Sequence, residues 1–206
     1  ATPALAAGNA VDPGDAMYAI NCDSVYNDWQ LFGVDSTTAF STAIGTGTGV
    51  YTGTCAGQPA YNPATGVSYY IQWFDESDEL ASIDVATGVS TTIGEFVWEN
   101  GEFPQTVQAD AMAIAADGTA YLLGEGELWA LDLSDGSIEP IGESLIDTYA
   151  LAVDPVTGTL YGITSNNDIY EIDPATGAVS LVDTIAFPSK GHYVYSLQFD
   201  QAGTFW

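Results

Sequence analysis

Apolar and polar residues alternate with a period of two along most of this chain, in runs of four to six residues broken by turns of Asp, Pro, Thr and Gly. That period and run length argue strands, and no stretch shows helical spacing of useful length. The clearest unit is residues 149–183, YALAVDPVTGTLYGITSNNDIYEIDPATGAVSLVD. Residues 150–153 are apolar and read as a first strand. Residues 154–158 (DPVTG) then form a turn: Pro presets φ, Gly supplies a positive φ, and the Asp side chain caps. Residues 159–164 mix β-branched, aromatic and aliphatic side chains, as a second strand prefers. A polar turn at 165–168, a third strand at 169–172, a second turn of the same kind at 173–177 and a fourth strand at 178–182 complete the unit.

The same grammar recurs along the chain. The Asp after the third strand falls at Asp35, Asp84, Asp132 and Asp173, at spacings of 41 to 49 residues. Nine residues on, each copy closes its fourth strand with a β-branched residue: Ile44, Ile93, Ile141 and Val182. Gly follows in three copies, as Gly45, Gly94 and Gly142. Between these landmarks stand Thr87 with Gly88, Asp135 with Gly136 and Thr176 with Gly177, but Thr37 with Thr38 in the first copy. Tyr18, Tyr69, Tyr121 and Tyr161 mark the second strands. A four-stranded repeat of this period fits a propeller blade.

On these residues the chain resembles the secreted bacterial β-propeller repeat proteins whose blade reads DxxTGxLY…LYxIDxxTGxxxxIG. The resemblance spans nearly the whole chain, without the Gly-His and Trp-Asp marks of the WD-repeat subclass. It implies an all-β fold: a β-propeller of four-stranded antiparallel blades, four blades plus the start of a fifth. It carries over no catalytic residue, because propellers host many unrelated functions. The expected layout is one propeller domain over residues 1–206, with blades at about 5–45, 57–94, 110–142, 149–183 and a partial one at 194–206. Residues 46–59, 95–108 and 185–193 read as long loops, and 195–199 as the first strand of the fifth blade. A blade ending as its second strand begins leaves an open edge. The expectation is therefore part of a larger propeller, its ring completed by further blades or another chain.

Composition narrows the function. The chain has 28 acids, one Lys, no Arg and a net charge of −27. Nucleic-acid binding needs Lys and Arg against phosphate and is excluded. Anionic surfaces are disfavoured, and cations, calcium above all, are attracted. Adaptation to a salty medium explains the same charge without a ligand. No apolar run is long enough for a membrane span. The small, apolar start ATPALAAGNA is compatible with an end left by signal-peptide removal, so a secreted, extracellular or cell-surface location is expected.

Strands alternate in direction within a blade, so loops after strands two and four share one face and those after one and three share the other. Every long loop falls on the first face. Its candidate ligand-binding aromatics are Tyr26, Phe74, Phe96, Trp98, Phe103, Phe187 and Tyr193, with Tyr51 beside them. Its acids are Asp75, Glu76, Asp78, Glu79, Glu95, Glu99 and Glu102. The DESDE run at 75–79 supplies Asp75, Glu76, Asp78 and Glu79 as candidate calcium ligands, against the plainer reading of a solvated acidic loop. The aromatics could instead pack between blades. Cys22 and Cys55 fall on this face in adjacent blades and are a candidate disulfide, with two free thiols as the alternative. His192 and Lys190 stand in a loop, and one His supports no catalytic triad.

These features point first to a non-catalytic extracellular or cell-surface interaction or structural module, holding a protein or glycan on the long-loop face. A carbohydrate-binding propeller, with calcium as a candidate cofactor, is the alternative. A metal-assisted hydrolase or lyase using carboxylate ligands is the third reading.

Overall fold

The computed structural model describes residues 17–23, 28–35, 38, 40–45, 59–72, 77–99, 104–143, 148–187, 194, 196–199 and 202–205. Among them there are strands and turns and no helix. Strands β1 (Met17–Asp23), β2 (Asp28–Val34) and β3 (Ser41–Ile44) pair in order as one antiparallel sheet. Strands β4 (Ala60–Asn62), β5 (Val67–Gln72), β6 (Glu79–Ile83) and β7 (Ser90–Glu95) form the second sheet. A two-stranded hairpin follows, β8 (Val97–Trp98) with β9 (Gln105–Thr106). The third sheet comprises β10 (Ala111–Ile114), β11 (Ala120–Gly124), β12 (Glu127–Leu131) and β13 (Ile138–Glu143). The fourth comprises β14 (Thr148–Val153), β15 (Leu160–Thr164), β16 (Asp168–Ile172) and β17 (Val179–Thr184). Each four-stranded sheet is a simple meander, and β10 packs beside β4 on one side and β14 on the other. The first strands of successive blades therefore stand next to one another.

The hydrophobic core lies between blades rather than within one. Successive side chains on a strand point to opposite faces, and here each face meets a different neighbouring blade. On β11, Leu122 joins the cluster with Tyr69, Ile71 and Leu80 of the second blade, while Leu123 joins Leu151, Leu160 and Ile172 of the fourth. On β5, Tyr70 faces Leu31 of the first blade and Ile71 faces the third. The second strands of the second and third blades are consequently buried along most of their length, as a strand covered on both faces is. Outer strands are exposed: all of β17 after Val179 lies open to solvent.

Two local devices recur. The first is the turn between strands three and four. Asp84 Oδ1 accepts the Ala86 N–H at 2.8 Å and its Oδ2 accepts the Thr87 hydroxyl at 2.8 Å. Asp173 does the same with Ala175 and Thr176. The second is a bulge in strand four. The register shifts between Leu80 and Ala81, between Leu128 and Trp129, and between Ile169 and Tyr170. The unpaired residues opposite are Ile93, Ile141 and Val182, the β-branched positions of the repeat. A bulge of this kind bends and twists the strand.

The glycine after the bulge docks on the next blade. A Cβ placed on Gly94 would stand 2.2 Å from the Asp135 carbonyl oxygen, and one on Gly142 2.2 Å from that of Thr176. No side chain fits there, so the Ile-Gly and Thr-Gly landmarks are two halves of one contact between successive blades. Gly45 meets Thr87 in the same way.

Two regions depart from expectation. Residues 95–108, read as a loop, hold the β8–β9 hairpin, because buried Phe96 and Val107 anchor both of its ends and Val107 N–H donates to the Phe96 carbonyl at 3.1 Å. Of residues 195–199, read as a strand, 196–199 are described and hold one rung of a ladder, Phe199 with Phe205. Leu197 is nevertheless 1% exposed, packed on Ala150, Ala152 and Ile163, so this segment covers the far face of the fourth blade as a fifth blade's inner strand does.

Candidate functional site

The long-loop face is built on the ends of strands two and four and the beginnings of strands three. On its rim, Glu79 opens β6 directly opposite Glu95, which closes β7. The Ser77 hydroxyl donates to Glu95 Oε1 at 2.9 Å. Burial, and then the charge of Glu95, push the Glu79 carboxyl above the usual carboxylate range. The third blade repeats the arrangement with Glu127 opposite Glu143. In the fourth blade the equivalent pair is Asp168 and Thr184, where the Thr184 hydroxyl donates to Asp168 Oδ1. Like charges directly opposite on a sheet destabilise it. Two of three blades therefore carry an electrostatic cost at the same place on the same face.

Beside these acids stands the β8–β9 hairpin. Trp98 lies 5.5 Å from Trp129, ring centre to ring centre, at 60° between planes. The Trp129 indole N–H in turn donates to the Gly124 carbonyl. The base of the hairpin is thereby held by aromatic packing on the third blade. Trp129 and Ser77 went unnoticed in the sequence, since one sits mid-strand and the other inside an acidic run.

Several expected site residues have other roles. Phe96 is not a surface aromatic: it is fully buried between the second and third blades. Hydrophobic burial has claimed the ring, because the chain must cover that face where it passes from β7 into the hairpin. Trp98 is half-buried, and Phe187 remains 40% exposed. Asp78 is not a free metal ligand. It is 4% exposed, and its Oδ2 accepts the Ala109 N–H at 2.7 Å, tying the second blade to the approach to β10. Glu79 stays on the rim. Tyr26, Phe74, Phe103, Tyr193, Asp75, Glu76, Lys190, His192 and Cys55 lie outside the described residues; Cys22 lies in β1, paired with Trp29. Among the described residues no group of three or more His, Cys, Asp or Glu side chains is placed to hold a metal ion. Among them also, no helix is long and apolar enough to cross a membrane.

Inside the second blade a buried polar chain completes the picture. The Tyr70 hydroxyl and the Ser90 hydroxyl are hydrogen-bonded at 2.5 Å, Gln72 Nε2 donates to Tyr70, and the Thr92 hydroxyl donates to Gln72 Oε1. Burial raises the Tyr70 hydroxyl above the usual tyrosine value. Its partners are satisfied, so the chain is a packing device that specifies how β5 and β7 align.

No protein-family model and no curated protein sequence matches the chain. Solved structures do. TolB from Acinetobacter baumannii is similar at 16% identity and a TM-score of 0.56, covering 91% of this chain and 44% of its own. A nidogen/laminin complex is similar at 13% and 0.56, covering 88% and 63%. Regucalcin from Agrobacterium tumefaciens, titled a calcium-binding protein, is similar at 12% and 0.52, covering 85% and 61%. The chain thus spans less than two thirds of each of these proteins. At such identities the likeness speaks for architecture alone, and with the meandering sheets and inter-blade core it establishes a β-propeller of four-stranded antiparallel blades, four with the start of a fifth.

Proposed function

We propose that this chain is a non-catalytic interaction module of the extracellular or cell-surface kind, which docks a protein partner on its long-loop face. The observation that carries this reading is the β8–β9 hairpin. Among the described residues it stands outside the four-stranded repeat, and its base is pinned by Phe96, Val107 and the Trp98–Trp129 contact. A rigid scaffold that positions an irregular segment is the usual way repeat folds carry binding. Glu95, paired with Glu79, stands two residues before the hairpin in the chain, so the partner surface that fits is basic. Opposite charge there relieves a repulsion present in the free chain, which favours encounter and orientation. The similar nidogen structure is a complex with laminin, a precedent for the architecture only. Calcium belongs to this reading as a bridging ion for the same carboxylates.

The test is binding of the immobilised chain to a panel of extracellular proteins and glycans, at two salt concentrations and with or without chelator. The double variant Glu79→Gln, Glu95→Gln is expected to weaken protein binding at least tenfold while the melting temperature holds or rises. Unchanged binding in that variant, or binding indifferent to salt, would remove the long-loop face from the account.

A further inference from the structure

On the opposite, short-turn face, an open groove of about 700 Å³ runs between the second and third blades. Its floor is Asn62, the last residue of β4, and Tyr69 of β5; its far wall includes Asp117, Asp132, Ser137 and Glu139 of the third blade. Asn62 is 3% exposed and Tyr69 8% exposed. Both are polar side chains more than nine-tenths buried, and both are only partly satisfied. Asn62 Oδ1 accepts the Ala64 N–H at 2.9 Å, capping the turn as Asp154 does in the fourth blade, but its Nδ2 donates to no group of the protein among the described residues. The Tyr69 hydroxyl makes no side-chain hydrogen bond among them either. Both residues line the groove.

The chemistry of the wall narrows the occupant. Asp117 accepts the backbone N–H and the hydroxyl of Thr119, and Asp132 the hydroxyl and the backbone N–H of Ser134, which leaves each carboxylate part of its accepting capacity. Their remaining lone pairs are acceptors. An anion is repelled by this wall. A simple cation satisfies the carboxylates but leaves the Asn62 Nδ2–H facing a positive charge. The group that accepts from an amide and donates to a carboxylate is a hydroxyl. Apolar Leu131 and Leu133 line the same groove and suit the C–H face of a ring. The volume falls within the range of small-molecule sites.

We propose that this groove binds a neutral saccharide of one or two rings, with Asn62 Nδ2 and the Tyr69 hydroxyl on one side of the sugar and the third-blade acids on the other. The site adjoins the docking hairpin, since Ser137 of its wall bridges Val97 of β8, but it shares no residue with the carboxylate pairs Glu79/Glu95 and Glu127/Glu143.

Two nearly isosteric variants test it. Asn62→Asp keeps the turn cap, since Asp performs it at Asp154, and removes the donor. Tyr69→Phe keeps the ring and removes the hydroxyl. Calorimetric titration with maltose, cellobiose, chitobiose and mannobiose is expected to show binding of at least one disaccharide. That binding is expected to weaken at least tenfold in each variant while their melting temperatures match the parent. Spermidine serves as the cationic probe. No binding by any of the four sugars overturns the proposal, as does binding unchanged in both variants. Spermidine binding in place of sugar, undiminished by Asn62→Asp, overturns it in favour of a cation site. The Glu79→Gln, Glu95→Gln variant is expected to bind sugar normally, which keeps the two sites distinguishable.

Discussion

Single carboxylates in this protein work in opposite directions. Asp84 is held below the usual carboxylate range by the Thr87 hydroxyl first and the Ala86 N–H second, and Asp173 by the Ala175 N–H and then the Thr176 hydroxyl. An acid lowered in the folded state stabilises the fold above its unfolded-state pKa. That contribution is lost as pH falls through the folded value. Glu79 is raised, so its sign reverses: any stability it lends is present below its unfolded-state pKa and is lost as pH rises through the folded value. Glu79→Gln is therefore expected to raise the melting temperature near neutral pH and to leave it unchanged in acid, below the ordinary glutamate range. Asp84→Ala is expected to lower it at neutral pH by the equivalent of about 0.5–1.5 kcal/mol, the net worth of an ordinary hydrogen bond, and to matter less in acid. Thermal melts of both variants across pH check the two signs together; the same pH dependence in both would contradict the assignment.

At the scale of the element, the question is what locks one blade to the next. The bulge glycine and the turn it meets leave no room for a methyl group: Gly94 to Asp135 and Gly142 to Thr176 are backbone against backbone. Gly94→Ala is expected to cost more than the roughly 1–3 kcal/mol of ordinary overpacking, because the obstacle is a carbonyl that cannot swing aside. Gly33→Ala is the control. A Cβ there would stand 3.5 Å from Ile44 Cδ1, an ordinary contact, and denaturant melts are expected to move by less than about 1 kcal/mol. Equal losses in the two variants would show that the interlock is not what the glycine is for. In the fourth blade the same position is Asp183, so a blade following it docks without this contact.

The whole molecule carries a net charge of −27 in 206 residues. Folding concentrates that charge, and salt screens the repulsion. The melting temperature is expected to rise with sodium chloride. At matched ionic strength calcium chloride is expected to do more, if the ion bridges the paired carboxylates of the long-loop face, and the excess is expected to vanish in Glu79→Gln, Glu95→Gln. A melting temperature indifferent to sodium chloride would show that self-repulsion is not a significant term.

What the sequence by itself determined is the grammar of the blade. Turn Asp, strand alternation, the β-branched residue late in the fourth strand and the following Gly are local instructions, readable because each involves only a few neighbouring residues; that the β-branched residue is a bulge and not the strand's end came from the structure. These instructions made the all-β, four-stranded propeller legible and marked its strands closely. What only the tertiary structure decided is which side of each strand is covered, because blades bury both faces and Phe96 looks the same in sequence whether it faces solvent or the next sheet. The hairpin at 97–106 was hidden for the same reason: its pairing is short, and its stability comes from Phe96, Val107 and Trp129 rather than from its own residues. Asp78 read as a surface acid and became a buried acceptor because Ala109, far along the chain, brings it an N–H. The groove beside Asn62 and Tyr69 exists only where two blades meet, and no pattern within either blade announces it.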